Sequence, residues 1–477
     1  MPKYSPETLT SDYHQNVDAL NKMMHIDSSF DVVGRDLEFV GIKARLYYID
    51  GFIKDMIVQK IITSLSRISK EEISQYTKAE AFANTFIPYN DVKTENRINV
   101  ICTAILSGPQ ALLIEGFDKA VIINARSYPT RSITEPDSDR VLRGARDSFC
   151  ETLILNTALI RRHIRDSRLI MQHHSIGTVS KTDVVLCFLS HRVDTEMVKK
   201  ITMRLDSINV KSLSMSQESL TEALLPQRWF NPFPRVRYTE RPDSSAAAIC
   251  EGSAVIIVDG SPSVMLLPTS FFDFFQDTND YYFAPIVGSY IRITRYIIYI
   301  LTLMLIPIWY LLIKNPEYIP QWLDFIKIEA PNSVPVFFQL LVVELIIDCL
   351  KLASLNTPSS LGSSFSVVAA LILGEFAVTA RWFVPEVLLY MAFVAVANFS
   401  QPSFELGYAL KLARILLIVL IETLNIIGFW AGVIIIALLI ITTPTITGQS
   451  YLYPLIPFNF QKMLRLIVRQ TIHDHNT

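Results

Sequence analysis

The stretch YIIYILTLMLIPIWYLLI, residues 296–313, contains no charged side chain. An α-helix rises 1.5 Å per residue, so this stretch is about 27 Å long and nearly crosses the hydrocarbon core of a bilayer. Arg292 and Arg295 precede it, and Lys314 follows it. Pro307 lies inside it and predicts a kink, which membrane helices tolerate. We therefore expect a membrane-spanning helix here.

The chain differs in composition on the two sides of this stretch. It has 477 residues, of which 50% are hydrophobic and 18% are charged, and its net charge is −2. Charged residues are frequent up to about Asp280 and sparse from Tyr296 to Ile441. This contrast predicts an α/β cytoplasmic N-terminal region of two small subdomains, followed by an all-α transmembrane helical bundle. The predicted parts are a lead-in (1–27), a first α/β subdomain (28–135), a second that ends in a β-hairpin (136–285), the transmembrane helical domain (286–445) and a C-terminal tail (446–477).

Residue patterns in the N-terminal region predict alternating strands and helices. Its polar start predicts no secretory signal peptide, and its five scattered cysteines predict a reducing compartment. The predicted elements are strands within 36–53, a helix over 53–68, a hairpin over 111–128, a helix over 147–166, a strand over 183–190, a helix over 194–208, a strand over 209–216, and a strand pair within 246–268 after the end of a helix.

The N-terminal region shows no chemistry-bearing motif. It lacks a Walker loop, a G-x-G-x-x-G fingerprint and a G-x-S-x-G elbow. His173 and His174 are adjacent, so on a helix they would diverge instead of sharing a metal ion. We therefore predict no catalytic residue, no metal site, no cofactor, no enzymatic activity and no nucleic-acid partner.

The segment VFFQLLVVELIIDCLKLASL, residues 336–355, carries charges inside an apolar helix. Glu344, Asp348 and Lys351 fall within about 60° of one another at 3.6 residues per turn. A charge at the centre of a bilayer is costly, so this stripe has to face protein or water. Three interpretations remain open: an ion-paired helix contact, a helix lying in the membrane interface, and a wet pathway.

Two further apolar segments follow, over 364–380 and 385–399. Glu375 is the only acid in the first of them. A lone intramembrane carboxylate is a functional candidate. A protonated carboxyl that forms a hydrogen bond between helices is an equally good interpretation.

The last apolar stretch, residues 408–443, is about 54 Å long as one helix and too long for a single crossing. Glu422, Asn425 and Gly428 mark the predicted break. Gly428 and Gly432 form a G-x-x-x-G spacing that permits close helix packing. Glu422 joins Glu344, Asp348, Lys351 and Glu375 as a candidate for an ion pathway.

Positive charges predict the orientation of the bundle. Arg292, Arg295, Lys411, Arg414 and the basic tail favour the cytoplasmic side. Arg381 breaks this pattern if 364–380 runs outward. We expect four to six membrane segments and an even number of crossings.

The stretch NPFPRVRYTERPD, residues 231–243, is dense in proline and charge. Proline fixes φ and pushes the preceding residue toward extended geometry, so this stretch is unlike a helix or a central strand. We expect an ordered strap ahead of the membrane, whose arginines pair within the chain, with a neighbouring subunit or with anionic headgroups. The residues of this strap are Pro232, Pro234, Arg235, Arg237, Tyr238, Glu240, Arg241, Pro242 and Asp243.

This strap resembles the signature of the GerA family, the A-type subunits of bacterial spore germination receptors. The resemblance covers almost the whole chain and includes EGSAVIIVDGSPSVMLLPTSFFDFF (251–275), EPDSDRVLRGARDSF (135–149) and YLYPLIPFN (451–459). The pieces ARLYYIDGF, SKTDVVLCF and LNTPSSLGSS resemble a sporulation-protein branch more than a nutrient-receptor subunit. One departure is Glu375, where the family pattern has glutamine.

The resemblance implies a multi-pass protein of the spore inner membrane with its N-terminal domain in the cytoplasm, or spore core. It implies a homo-oligomer that passes ions early in germination, with other membrane subunits and a small membrane partner. Nutrient recognition in the family is assigned mainly to a separate subunit, so no germinant pocket is expected. Two functions follow: an ion-conducting oligomer, or a non-conducting scaffold or signalling subunit. Secondary transport is a third reading, although no inverted repeat supports it.

Overall fold

The computed structural model of the chain describes residues 7–76, 78–128, 144–225, 228–328, 334–356 and 380–469. It divides into two compact units. The first unit contains the α/β region and comprises Met1–Gln227, Val236–Thr269 and Ile446–Gly448. The second contains the apolar helices and comprises Arg228–Arg235, Ser270–Thr445 and Gln449–Thr477. The α/β region and the helical part that follows it confirm the predicted fold class.

The first half of the α/β unit is an antiparallel five-stranded sheet with helices packed on it. The strand order is β1-β2-β4-β5-β3. Leu46, Leu112 and Val121 project into a core shared with the helices on one face. The elements are α1 (Tyr13–Met24), β1 (Val32–Phe39), β2 (Ile42–Ile49), α2 (Asp55–Ser66), α3 (Lys70–Ser74), α4 (Ala79–Phe86), β3 (Val92–Glu95), α5 (Ile98–Leu106), β4 (Gln110–Ile114) and β5 (Ala120–Ile123).

The second half forms another antiparallel five-stranded sheet, in the order β6-β7-β9-β10-β8. Strands β7 and β9 lie inside the sheet; β9 is buried along its length, and β7 is buried from Val184 to Leu189. This burial explains their nearly continuous apolar sequences. The elements are α6 (Leu153–His163), β6 (Leu169–Ile176), β7 (Thr182–Leu189), α7 (Thr195–Asp206), α8 (Gln217–Leu224), β8 (Arg237–Thr239), α9 (Pro242–Cys250), β9 (Ala254–Val258) and β10 (Val264–Leu267).

The two halves share one topology. In each sheet the strands stand in the order first, second, fourth, fifth, third, and a helix precedes the first strand. The same local motif opens both halves. Asn16 exchanges hydrogen bonds with the backbone of Thr10 (2.7 and 2.9 Å), and Asn156 does so with Cys150 (2.5 and 2.8 Å). The α/β unit is therefore built from two copies of one structural pattern.

A buried ion pair joins the two halves. The Arg161 guanidinium donates to the Asp31 carboxylate at 2.7 and 2.9 Å, and both side chains are buried. Ser29 accepts from Arg161 and from the backbone N–H of Met171. Since an unpaired buried charge is strongly destabilising, this pair holds the two halves in one arrangement.

One predicted strand in the α/β unit is wrong, and the helix considered for His173 and His174 is a strand. Residues 209–216 form no strand, because the 178–180 loop donates its backbone N–H groups to the carbonyls of Val210 and Lys211. His173 and His174 lie on β6 instead of a helix, so they point to opposite faces of the sheet. They contact Asp183 and Asp206 separately.

The second unit contains short 3₁₀ turns and helices of very different lengths. Among the described residues, α10 and α13 are long and apolar enough to cross a membrane, and α12 is a shorter apolar helix. Helix α10 continues through Pro307 as one element. The helices are α10 (Pro285–Lys314), α11 (Val336–Asn356), α12 (Pro385–Phe399), α13 (Phe404–Ile441) and α14 (Phe460–Ile467), and the 3₁₀ turns are Phe271–Phe275, Thr278–Tyr282, Pro316–Tyr318 and Gln321–Ile326.

Candidate functional site

Charged side chains from α11 and α13 meet inside the helical bundle. Glu344 accepts from Nε of Arg414 at 2.7 Å, and its side chain is 3% exposed, whereas that of Arg414 is fully buried. Lys411 pairs with the carboxylates of Glu344 (3.5 Å) and Asp348. Arg414 also donates to the carbonyl of Thr302 on α10 at 2.6 Å. Two carboxylates and two cations therefore form a network that is neutral overall and buried except at Asp348.

Lys351 extends this network toward one end of α11. Its ammonium lies over the rings of Tyr408 (5.2 Å) and Phe399 (5.5 Å). Aromatic faces attract cations, so these rings stabilise the lysine within an apolar bundle. We call the whole set the charged ladder; it consists of Glu344, Asp348, Lys351, Lys411 and Arg414.

The directions of the helices give the depth of each rung. Thr302 contacts Arg414 and Tyr310 contacts Glu422, at the same numbering difference of 112, so α10 and the first part of α13 run parallel. Helix α11 runs the opposite way, because Glu344 contacts Arg414 whereas Lys351 contacts Tyr408. We call the end of the bundle at the start of α10 the near end. Lys351 is then the outermost rung.

The ladder becomes drier with depth. The Arg414 rung lies at the level of Thr302, roughly 4 Å from the middle of the apolar stretch 296–313. Asp348 lies about one helical turn nearer the near end, and its side chain is 31% exposed. The ladder therefore reaches from the near end to about half the depth of the bundle, and it is sealed at its inner end.

The predicted break of α13 is present and lies at Asn425. This residue has φ 52° and ψ −129°, whereas the helix is continuous on either side. Asn425 exchanges hydrogen bonds with Asn315 at 2.7 and 2.9 Å. Lys314 donates to the carbonyl of Glu422 at 2.9 Å, so a cation satisfies a backbone group that the break leaves free.

Glu422 lies at this break and not on the charged ladder. Its carboxylate pairs with Lys314 at 2.7 Å and accepts a short hydrogen bond from the hydroxyl of Tyr310. Lys314 and Asn315 end α10. The cluster therefore belongs to the far end of the bundle, where it holds the turn of α13 against the end of α10.

Gly428 and Gly432 pack the two parts of α13 against each other. A Cβ on Gly428 would overlap the backbone carbonyl oxygen of Leu420, and one on Gly432 would lie 2.6 Å from Cδ2 of Leu417. These pairs are symmetric about residues 424 and 425, so 404–424 and 426–441 form an antiparallel helical hairpin. The G-x-x-x-G spacing serves contact within the chain.

The strap residues fall into three structural pieces. Pro232, Pro234 and Arg235 belong to the second unit, and the chain enters the first unit at Val236. Burial raises the pKa of Tyr451, whose protonated hydroxyl donates to the carbonyl of Pro234 at 2.6 Å.

The other two pieces lie in the α/β unit. Arg237 and Tyr238 belong to the edge strand β8, which Glu240 follows. Arg241 has extended geometry, and Pro242 and Asp243 begin α9. The Arg241 guanidinium pairs with Asp243 at 2.6 Å. The single strap expected from the sequence is therefore a connection, an edge strand and a helix start.

The functional importance of Glu375 is a sequence prediction that lies outside the described residues. The described part of the chain contains no group of three or more His, Cys, Asp or Glu side chains that would hold a metal ion. Sequence reasoning also missed the partners of the predicted residues, which are Lys411 and Arg414 for the carboxylates of α11, Lys314 and Tyr310 for Glu422, and Asn315 for Asn425. A usable signal was present: acids spaced i, i+4 on one apolar helix and bases spaced i, i+3 on another predict pairing between them.

Arg292 and Arg295 have a structural role that the orientation argument did not foresee. Both pair with the fully buried Asp280, at 3.2 and 2.9 Å. Arg295 also pairs with Asp277 at 3.5 Å. Lys411 and Arg414 are likewise neutralised within the bundle. The predicted orientation therefore depends more on the C-terminal bases than on these four cations.

Long apolar helices with paired charges among them, joined to a folded α/β unit, form the arrangement expected of a membrane protein with a large domain outside the bilayer. Residues 18–477 match the family described as Bacillus/Clostridium GerA spore germination protein. The chain belongs to the GerA family, as its sequence signature indicated, and is a spore germination protein of that family.

Curated relatives match over nearly the full length. The chain is 34% identical to stage V sporulation protein AF of Bacillus subtilis, covering 95% of this chain and 92% of that protein. It is 28% identical to spore germination protein KA of the same organism, covering 96% and 84%. The first of these relatives confirms the resemblance to a sporulation-protein branch.

A solved structure also matches the α/β region. The N-terminal domain of the A subunit of the Bacillus megaterium spore germinant receptor GerK3 matches with a TM-score of 0.43 and 23% identity, covering 55% of this chain and 97% of that one.

Proposed function

We propose that this chain is an A-type subunit of a germination complex in the spore inner membrane, and that its copies form an oligomer that passes ions early in germination. The observation that carries the proposal is the charged ladder, which reaches from the near end of an apolar bundle to about half its depth. Ionisable groups inside a membrane mark ion pathways when they reach water. The names of two similar proteins, spore germination protein KA and stage V sporulation protein AF, support a role in spore germination.

The surface beside the ladder supports assembly. Phe338, Leu345, Cys349 and Leu352 form an exposed face of α11, and Asp348 lies at the edge of that face. A charged group beside lipid is unfavourable, whereas a second copy packed on this face would enclose Asp348 together with water. The oligomer would then have a polar entrance at each ladder.

The helix directions support a multi-pass topology. Helix α10 runs from the near end to the far end, and α13 goes out and back as a hairpin. Helices α11 and α12 return; for α12 this follows because Tyr390 contacts Trp309, whereas Gln401, just after the helix, contacts Thr302. With one crossing by the predicted apolar segment 364–380 the proposed total is even, so the α/β unit and the C-terminal tail would lie on one side of the membrane, which we propose is the cytoplasmic side. Other membrane subunits and a small membrane partner complete the proposed complex.

Ion release from liposomes tests this function. The full-length protein is reconstituted with a trapped potassium indicator, and its ion release is compared with that of Asp348→Asn and Glu375→Gln. Asp36→Asn, an exposed carboxylate in the α/β unit, is the matched control. We expect release by the wild type and by the control, and a several-fold lower rate for Asp348→Asn.

Two results would contradict the proposal at different levels. Unchanged release by both Asp348→Asn and Glu375→Gln would remove these residues from the pathway. An assembled wild-type protein that releases no ions, alone or with co-purified subunits, would contradict conduction itself.

A scaffold or signalling subunit is the second candidate function. The fully buried pair of Glu344 and Arg414 favours it, because a sealed pair is also what a helix contact requires. This candidate predicts stable oligomers without ion release. Secondary transport is disfavoured, because the broken helix turns at the far end of α10 and not at the middle of the membrane.

A further inference from the structure

Helix α14 carries an apolar face that the described protein covers only in part. Phe460, Met463, Leu464 and Ile467 lie on one side of the helix, and Gln461, Lys462 and Arg465 lie on the other. None of its eight residues is buried, and the side chain of Phe460 is 66% exposed. The helix contains no acid. These features are typical of a helix that lies in a membrane interface.

Hydrogen bonds fix α14 beside the first turns of α10. Arg292 donates to the carbonyl of Arg465 at 3.0 Å, and the backbone N–H of Arg469 donates to Ser289 Oγ at 3.0 Å. The Arg469 guanidinium also donates to the carbonyl of Tyr281 at 2.7 Å. Arg292 precedes the apolar stretch 296–313 by four residues, or about 6 Å. This distance places α14 at the boundary of the hydrocarbon.

A second exposed element lies at the same end of the bundle. Arg228 donates to the carbonyl of Thr442 at 2.8 Å, and Asn231 donates to Thr443 Oγ1 at 2.9 Å, so the loop 228–231 is held at the end of α13. That end has returned to the near end because α13 is a hairpin. Trp229, in the same loop, is 96% exposed. Tryptophan is enriched where hydrocarbon meets headgroups.

An exposed stripe of α10 connects these elements to the lipid-facing surface of the bundle. Ile286, Tyr290, Ile293, Ile297 and Ile300 follow one another at helical spacing, and all are exposed. The stripe begins beside α14 and continues along the apolar stretch. The bilayer that contacts this stripe would therefore also contact the exposed face of α14.

We propose that α14 and the loop 228–231 form an interfacial collar that binds anionic phospholipid headgroups at the near end of the bundle. Lys462 and Arg465 contact lipid phosphates, and Phe460, Leu464 and Trp229 enter the acyl boundary. This inference depends on the membrane insertion of α10 and does not require ion conduction. It assigns a lipid-binding role to the C-terminal tail.

Spin-label depth measurements on the full-length protein in nanodiscs test the collar. The exposed Cys250 and Cys349 are replaced by Ser, and a label is placed at Leu464→Cys or, on the opposite face, at Gln461→Cys. Relaxation by oxygen, which enters lipid, is compared with relaxation by a water-soluble nickel chelate. We expect a several-fold higher oxygen-to-nickel ratio at 464 than at 461.

The charge requirement is tested with the same label. In discs that contain phosphatidylglycerol, the label at 464 should lie deeper than in discs of phosphatidylcholine alone. The double variant Lys462→Glu/Arg465→Glu should lose this difference, whereas a matched reversal of exposed lysines in the α/β unit, Lys93→Glu/Lys200→Glu, should keep it.

Three results would overturn the collar. High nickel relaxation at both positions means that α14 lies in water. Low relaxation by both agents at 464 means that protein, such as a second copy of the chain, covers the face. A depth of the label at 464 that does not depend on phosphatidylglycerol, without the charge reversal, would show that anionic lipid is not required. None of these results depends on ion release.

Discussion

Arg414 illustrates how one residue depends on its partner in an apolar bundle. Its guanidinium has no accessible surface and contacts Glu344 and the carbonyl of Thr302. Removing Arg414 would leave the buried carboxylate of Glu344 with only the more distant Lys411, at 3.5 Å. Replacing both members removes the charge together with its desolvation cost.

The variant Arg414→Met should lower the free energy of unfolding of the detergent-solubilised protein by about 3–5 kcal/mol. The double variant Glu344→Gln/Arg414→Met should recover much of this loss. Asp36→Asn is the control because it breaks a pair whose carboxylate is 73% exposed, and its effect should stay below about 1 kcal/mol. Equal losses for Arg414→Met and Asp36→Asn, measured by chemical denaturation, would contradict the buried network.

Asn425 carries the backbone strain of the hairpin turn. Its φ of 52° with ψ of −129° is a conformation that suits glycine and strains β-branched residues. Asn425→Gly relieves this strain but loses the amide pair with Asn315, whereas Asn425→Val loses the pair and adds strain. We expect Asn425→Val to be less stable than Asn425→Gly by about 1–3 kcal/mol, measured by thermal unfolding. Equal stabilities would show that the turn does not require this conformation.

The sequence predicted the charged residues of α11 well but not what they contact. Glu344, Asp348 and Lys351 were visible as a stripe, because 3.6-residue periodicity is a local property. Their partners Lys411 and Arg414 are 67 and 70 residues from Glu344 in the chain, and pairing over that separation depends on helix packing. The open choice between a pair and a wet path therefore needed the structure.

At the scale of elements, α13 shows what length and glycine spacing predict. Residues 408–443 were too long for one crossing, so a break near Glu422–Gly428 was required, and the structure places it at Asn425. The predicted strand over 209–216 was wrong because no such length constraint supported it. The prediction depended on a short alternating pattern alone. In the structure, the backbone carbonyls of Val210 and Lys211 accept hydrogen bonds from the 178–180 loop.

The two glycines of the hairpin should differ in their tolerance of a methyl group. A Cβ at Gly428 meets the backbone carbonyl of Leu420, which cannot move away without disturbing the helix. A Cβ at Gly432 meets side-chain atoms of Leu417 and Leu420, which can rotate. We expect Gly428→Ala to lower the thermal midpoint much more than Gly432→Ala. The reverse order would contradict the hairpin.

The shared topology of the two α/β halves was invisible in the sequence. Their similarity lies in strand order and in the Asn16 and Asn156 motifs, whereas the two stretches show no readable repeat of residues. Many different apolar sequences are compatible with the same buried strands, so two segments can share a topology without similar sequences. The presence of two α/β subdomains was predictable, and their equivalence was not.

For the whole molecule, the two candidate functions differ in whether the charged ladder contains water. A conducting oligomer requires water to reach Asp348, whereas a scaffold requires a dry contact there. Both agree with the buried inner rung formed by Glu344 and Arg414. The presence or absence of water at the outer end of the ladder, around Asp348, therefore distinguishes the two functions.

Water access at position 348 is the most direct test of this account. Full-length protein in liposomes carries a single reactive cysteine near the ladder, either Asp348→Cys with Cys349→Ser, or the native Cys349 on the exposed apolar face; the exposed Cys250 is replaced by Ser in both. Each is treated with a charged thiosulfonate reagent, which reacts only where water reaches the thiol. The account predicts a several-fold faster reaction at 348 than at 349. A reaction at 348 that is no faster than at 349 would contradict a wet ladder and leave the dry scaffold.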